Sequence, residues 1–524
     1  MAALGVVLAL AALLAPLPPA PAWGPGLFRA LLAFHGCALL AAAGFWRKGR
    51  GTDQQSRQAL ARAEWLTLAA LAIVALALRL YRLDSQLWVD EVFMLLDFGR
   101  APLERIVAMF PSQNQHLLYS ISARLCTMVF GESPWALRLP AAILGTLTIF
   151  PLYLLGRRLW DRRIALAGSV LLTVSYHHVW FSQNARGYSA LLLFTVWSTW
   201  LWLEAFDRDE PKLWAGYTAT ITLGLGFHLT MLFVIAAQGL VWLAALAARN
   251  RPPVKGPVLS WVLGATLTLQ MYALALPEFF AEALHETSMD SEWTRPLWVI
   301  AETVRNLRVG WSGGAVVLLG GLVFAAGWWE LARRRLDAAI LFVLPPVMGG
   351  GLTLAMGHNL WPRFFFFAMG FALLLALGGA FAAPSLLLGR ERGRRIGLAL
   401  SAVLIVASAA TLPRCYALPK QDFEGARAFA ENRSSKVIAP GIAGRIYAGY
   451  YAPDWIAVET LEELEAARSQ HPGAWLVYTL SPEIRAFQPA VWDAIERDYA
   501  VEKTFYGTLG QGEIYVCRPK EPAG

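Results

Sequence analysis

The chain has 524 residues, of which 57% are hydrophobic and 16% charged, and its formal net charge is +8. Soluble globular proteins carry about 25% charged residues, so a purely soluble fold is excluded, and apolar runs of about 18–25 residues suit bilayer-crossing helices better than barrel strands. The positive charge sits in short connections between apolar runs and forms no separate basic domain, which argues against nucleic acid as a partner.

Residues 1–22, "MAALGVVLALAALLAPLPPAPA", have an apolar core and a small-residue Ala20-Pro21-Ala22 end. They read either as a cleaved leader or as a first span. Spans are expected over roughly 3–20, 27–46, 65–81, 134–159, 164–182, 187–206, 212–227, 229–248, 258–277, 314–332, 338–357, 364–383 and 396–413. This is a polytopic α-helical membrane protein with about 13 transmembrane helices and a separate C-terminal region.

The connections set a topology. Arg47, Lys48, Arg50, Arg57 and Arg62 fill one loop, and Arg157, Arg158, Arg162 and Arg163 another. Arg208 with Lys212, Arg249 with Arg251 and Lys255, Arg333 to Arg335, and Arg390, Arg392, Arg394 and Arg395 fall on the same side. Basic connections belong in the cytoplasm. Residues 82–133, 278–313 and 358–363, and everything after Pro413, are then extracytoplasmic. The stretch "LLYSISARLCTMVF" (117–130) contains Arg124, and as a span it would reverse every later loop; it reads as an interfacial helix.

Residues 414–524 differ in composition. Thr460-Leu461-Glu462-Glu463 reads as a capping box opening a helix through about Arg468, and "PAVWDAIERDY" (489–499) as a helix with proline at its start. "KVIAP" (436–440), "AWLVYTL" (474–480) and "EIYVC" (513–517) read as strands. This is a small extracytoplasmic α/β domain. Cys415 and Cys517 lie near its two ends, where an oxidising compartment permits either a disulfide or free thiols; Cys37 and Cys126 lie in apolar segments, and no CxxC spacing is present.

Chemistry-bearing residues converge on the extracytoplasmic ends of the spans. The acidic pair Asp90-Glu91 stands in "SQLWVDEVFMLLDFG", His116 opens the interfacial helix, and Arg138 opens the next span. "SYHHVWFSQNARGYS" carries His177, His178, Gln183, Asn184, Arg186 and Tyr188; His228 ends a further span; His358 and Arg363 lie in "GHNLWPRF". Each residue also has a plain reading. The acids could cap a helix, the arginines snorkel to headgroups, and the histidines be packed core residues. Taken together, acids beside arginines at a membrane face suit chemistry on a lipid phosphate, because arginine binds phosphate bidentately and a carboxylate takes a proton or holds a divalent cation.

"RLDSQLWVDE", followed by "NQHLLYSISARL", "GESPWALRLP" and "SQNARGY", resembles the GT-C membrane glycosyltransferases. Within them it is most similar to the bacterial RgtA/B/C/D-like and ArnT-like proteins, related to the protein O-mannosyltransferases. The resemblance covers residues 79–206 well, and 207–383 only in topology and scattered positions. It implies transfer of a sugar from a polyprenyl-phosphate donor to a lipid, polysaccharide or protein acceptor, generally with inversion. It makes Asp90 the catalytic base and Glu91 a supporting or metal-binding acid. His116, Arg138, Arg186, Tyr188 and Arg363 become substrate-binding candidates, and a divalent metal stays open with Glu91 and His228 as candidate ligands. His116-Leu117-Leu118 stands where many members have His-Pro-Pro. The implied organisation is 1–64, two helices and a basic loop; 65–413, the transferase membrane domain; and 414–524, the soluble domain. The alternatives are a transporter of lipid-linked sugars, which calls for charged groups at mid-membrane, and a non-catalytic scaffold, which gives the acidic pair no role. The expected location is the plasma membrane.

Overall fold

Long apolar segments satisfy every backbone group within themselves only as helices, and helix dominates the molecule. The computed structural model describes residues 2–14, 16–20, 23–45, 60–112, 114–281, 297–298, 301, 314–356 and 360–520. Arg47, Lys48, Arg50, Arg57 and His358 lie outside the described residues.

Among the described residues six helices are long and apolar enough to cross a membrane: Arg62–Leu80, Pro134–Leu159, Tyr188–Arg208, Leu336–Ala355, Pro362–Leu388 and Arg390–Ala417. A seventh span results if Arg162–Thr173 and Tyr176–Ser182, bent by 57°, count as one. The protein is therefore a multi-pass membrane protein. Length and composition support six or seven of the expected spans, because other apolar stretches form shorter helices such as Ala3–Leu14 and Met231–Ala247. At about 1.5 Å per residue, helices of that length fall short of a hydrocarbon core of about 30 Å. "LLYSISARLCTMVF" is one such short helix, Leu117–Phe130, with Tyr119, Ser120, Ala123 and Thr127 buried and Leu125, Met128, Val129 and Phe130 exposed.

A helix apolar on all sides is either central or lipid-facing. Tyr188–Arg208 is central, with 83% of its apolar window buried, whereas Arg390–Ala417 is peripheral at 17%. Helices Gly314–Arg334 and Met369–Leu388 touch backbone to backbone: a Cβ on Gly379 would sit 1.7 Å from the Val323 carbonyl oxygen. Without a hydrophobic driving force between spans, such small-residue contacts supply the packing.

The broken span leaves helix-end carbonyls inside the bundle. Arg79 fills that gap: its Nη2 donates to the carbonyl of Leu172 at 3.2 Å and its Nη1 to that of Thr173 at 3.4 Å. Nη2 also meets His178 Nδ1 at 2.6 Å. Ser408 Oγ donates to the carbonyl of Val174 at 3.1 Å, and Ser175 Oγ caps the next helix at the amide of His178. The break is thus hydrogen-bonded on both sides, as an interrupted helix in an apolar medium requires.

The C-terminal strands β1 (Val437–Pro440), β2 (Ile456–Val458), β3 (Trp475–Thr479), β4 (Tyr499–Phe505) and β5 (Ile514–Pro519) form one sheet in the order β2-β1-β3-β5-β4. β1 runs parallel to β2 and β3, and β5 antiparallel to β3 and β4. The strands at 436–440, 474–480 and 513–517 and both helices are where the sequence predicts them, and the Thr460–Glu463 capping box forms. Successive strand residues point to opposite faces. Ile438, Leu476, Tyr478 and Cys517 pack with the helices Leu461–Gln470 and Pro489–Asp498. Val437, Ala439, Val477 and Val516 share one core with Leu87, Trp88, Val92 and Phe98. Both faces are buried, which explains the unbroken apolar strand "AWLVYTL". The inner face rests on the segment that carries the acidic pair. All four cysteines are free thiols.

Candidate active site

After Arg62–Leu80 the chain turns and enters the short helix Val89–Met94. Adjacent residues on a helix lie about 100° apart, so Asp90 and Glu91 face different surroundings.

Glu91 points inward and is 0% exposed. Its Oε2 accepts from Arg138 Nη2 at 2.5 Å, and its Oε1 from Arg138 Nε at 2.8 Å and the Ala185 amide at 2.7 Å. Lys420 Nζ stands 3.5 Å from the same Oε1. Burial pushes this carboxyl up, but the charges of Arg138 and Lys420 and the hydrogen bonds outweigh it and hold it at about 2. Oε2 also accepts the Trp88 amide at 3.4 Å, so the helix-capping reading of the acidic pair applies to Glu91.

Arg138 is equally enclosed, at 1% exposure. Its remaining donors go to the carbonyls of Leu83 at 2.8 Å, Ser85 at 2.7 Å and Gln86 at 2.9 Å. With every N–H of the guanidinium engaged, Arg138 has none for a phosphate or sugar. Glu91 and Arg138 thus form a buried ion pair that anchors the loop, each completing the other's hydrogen bonds.

Asp90 points the other way, its side chain 14% exposed beside Arg363 at 27%, with Arg363 Nη1 3.2 Å from Asp90 Oδ2. The Arg363 guanidinium lies between the Trp88 and Trp361 rings, 6.0 and 5.1 Å from their centres. Its planar charge suits aromatic faces.

His116, Tyr188 and His228 form a second cluster, with ring centres 4.3 Å apart for the two histidines and 5.7 and 5.1 Å from each to Tyr188. His116 Nδ1 meets the Phe227 carbonyl at 3.2 Å. Burial, reinforced by the charges of Arg186 and Arg363, holds the His228 imidazole at about 3 and His116 well below its ordinary value. The charges of Arg186 and Arg363 act on both rings. Gly187 permits the arrangement: a Cβ there would sit 2.2 Å from the Phe227 oxygen and 2.6 Å from His116 Nδ1.

Arg186 Nη1 donates to the Asn114 carbonyl at 3.0 Å and to its Oδ1. Arg186 Nε, Asn114 Nδ2 and Arg363 Nε are buried donors without a hydrogen-bond partner. Unpaired donors on guanidinium and amide groups suit an anion chemically. Glu91's oxygens are taken by Arg138 and the Ala185 amide, and no group of three or more His, Cys, Asp or Glu side chains gathers among the described residues.

Of the residues singled out in the sequence, the structure pairs Asp90 with Arg363, clusters His116, Tyr188 and His228, and pairs Glu91 with Arg138. Lys420 and Gln421 were missed, and no local signal marks them, since they lie more than 300 residues from the helix they touch. Arg79 was missed too, although a lone charge in the apolar run "ALALRLYRL" is a signal worth reading.

A family model described as dolichyl-phosphate-mannose-protein mannosyltransferase matches residues 115–276. An undecaprenyl phosphate-alpha-4-amino-4-deoxy-L-arabinose arabinosyl transferase of Pseudomonas aeruginosa is 27% identical over 277 residues, 45% of this chain and 47% of that protein. The chain thus matches about half the length of its curated relatives. Among solved structures, ArnT from Cupriavidus metallidurans in the apo state superposes with a TM-score of 0.52 at 14% identity, over 87% of this chain and 98% of that one. The apo oligosaccharyltransferase of Archaeoglobus fulgidus gives 0.52 at 13% identity, over 87% and 76%. The fold is that of the GT-C membrane proteins, as the sequence resemblance implies.

Proposed function

We propose that this chain, built on the GT-C fold, is an integral-membrane glycosyltransferase that moves a sugar from a polyprenyl-phosphate donor to an acceptor hydroxyl. The observation that carries the reading is the Asp90–Arg363 pair, with unpartnered buried donors on Arg363, Arg186 and Asn114. The likeness to a transferase that uses undecaprenyl phosphate, and to ArnT bound to undecaprenyl phosphate, supports the donor class.

In this mechanism Arg363 and Arg186 bind the donor phosphate, and Arg363 turns from Asp90 toward it. Asp90 accepts the proton of the attacking hydroxyl. The acceptor oxygen bonds to the anomeric carbon as the bond from that carbon to the phosphate oxygen breaks. Polyprenyl phosphate leaves with the electron pair, its charge stabilised by the arginines, and the configuration inverts. His116, Tyr188 and His228 line the sugar side, both imidazoles held neutral. No step passes through a metal.

The site faces the extracytoplasmic side of the plasma membrane. In support, Arg158 pairs with Glu204 and Asp207, and Arg335 with Asp207 and Asp337, on connections that the charge pattern assigns to the cytoplasm. The organisation into 1–64, 65–413 and 414–524 serves this reading, with the last part over the site. The test is incubation of the purified protein with labelled polyprenyl-phosphate sugars and envelope lipids, polysaccharides and proteins. Formation of a glycosylated acceptor supports the reading; translocation of the donor without transfer refutes it.

A further inference from the structure

Three successive residues after Arg390–Ala417 reach back to the acidic-pair segment, two of them to the helix Val89–Met94 and the third to Gln86 before it. Lys420 Nζ lies 3.5 Å from Glu91 Oε1, donates to the Gln183 carbonyl and stands 5.0 Å from the centre of the Trp180 ring. Gln421 is 1% exposed, and its Oε1 accepts the Val89 amide at 3.0 Å. Its Nε2 donates to the Gly512 carbonyl at 3.0 Å and to Thr479 Oγ1 at 3.3 Å. Asp422 Oδ1 accepts from Gln86 Nε2 at 3.0 Å.

Asp90 therefore lies between two residues held by this segment: Val89 through Gln421, and Glu91 through Lys420. A single amide side chain joins the Val89 backbone to the end of β3 and to the turn before β5. Other contacts follow the same seam. Tyr451 Oη donates to the Leu87 carbonyl at 2.6 Å, Arg445 pairs with Asp97, and Arg100 Nη1 donates to the Gly449 carbonyl at 3.2 Å. A helix as short as Val89–Met94 has no stability of its own, so its direction comes from what packs on it. Arg138 and the Ala185 amide hold it from the bundle, Gln421 holds it from the sheet, and Lys420, whose carbonyl accepts the Leu509 amide, holds it from the segment that leads into the sheet domain.

We propose that Lys420 and Gln421 are positioning residues for Asp90, through which the C-terminal sheet sets the orientation of the acidic-pair helix. The purpose of this clamp rests on the transferase reading; the clamp itself rests on the hydrogen bonds. Neither residue touches the reacting groups, and each acts through the backbone or side chain next to Asp90.

The test uses the full chain in lipid nanodiscs, with Gln421→Ala, Lys420→Met and Lys420→Arg, read by amide hydrogen exchange and by transfer kinetics. In Gln421→Ala and Lys420→Met, exchange over residues 87–94 rises about tenfold while strands β1, β3 and β5 stay protected. In the same variants kcat falls about 10- to 100-fold with donor KM within about threefold of wild type, because the base is misdirected and donor binding is untouched. Lys420→Arg keeps the charge and stays closer to wild type than Lys420→Met. Unchanged exchange over 87–94 in both variants overturns the proposal, as does a rise spread equally across the sheet. A local rise with unchanged kcat overturns the positioning role. Wild-type protein that transfers no sugar while the exchange pattern holds upholds the clamp and overturns the transferase reading alone.

Discussion

Arg363 Nη1 lies 3.2 Å from Asp90 Oδ2, across 273 residues of sequence, while Glu91, the neighbour of Asp90, is locked to Arg138 in the opposite direction. One acidic pair thus splits into an accessible carboxylate and a buried one, and the two respond differently to change.

Asp90→Asn keeps the shape of the side chain and removes the base. Transfer falls by about 10²- to 10⁴-fold. Thermal stability moves by no more than about 0.5 kcal/mol, as for a side chain outside the packed core. Glu91→Gln leaves Arg138 charged and buried against a neutral partner, which costs about 3–5 kcal/mol. Thermal unfolding and a transfer assay on the two variants separate the roles; equal stability loss in both refutes the division.

Arg363→Ala removes a cation that meets both Asp90 and the proposed donor phosphate. Donor KM rises and kcat falls, together by about 10²- to 10³-fold in kcat/KM. Arg363→Lys does not restore it fully, because a point charge cannot reproduce the planar contact between Trp88 and Trp361. Steady-state kinetics with varied donor measure this, and full activity in Arg363→Lys contradicts it.

Gly187→Ala puts a methyl into the Phe227 carbonyl and His116 Nδ1. The clash is with backbone, so the turn moves, at a cost of about 1–3 kcal/mol. The thermal midpoint and transfer activity drop together, whereas a neutral substitution shows that the turn carries no constraint.

His116 and His228 are held below the ordinary histidine range by burial and by Arg186. Below about 6.5 the unfolded chain takes up protons that the folded protein refuses, so both residues lower stability as pH falls below about 6.5, His228 down to about 3. Above 6.5 they contribute no pH dependence. Glu91, held at about 2, adds its own loss as pH falls from its unfolded value near 4.5 toward 2. Thermal midpoints measured from pH 7.5 to pH 5 fall in the wild type and fall less in His116→Gln. A step near pH 6.5 in transfer activity, removed by His116→Gln, refutes the neutral assignment.

The helical membrane class and the sheet strands at 436–440, 474–480 and 513–517 follow from the sequence alone. Apolar length, strand runs and charge placement are local properties, and local patterns carry them. The division of labour between Asp90 and Glu91 is not local. It depends on which carboxylate meets Arg138, Ala185 and Lys420, groups supplied by two later helix ends and a distant tail. Likewise β2 is only three residues long, and Arg79 reads as one charge in an apolar run until the bend beside Thr173 exposes the carbonyls it binds. Composition and periodicity determine where the chain enters the membrane and which end is ionisable. Only the tertiary structure decides which charges are paired and which stay open, because pairing depends on distances of about 3 Å between side chains that sequence spacing cannot report.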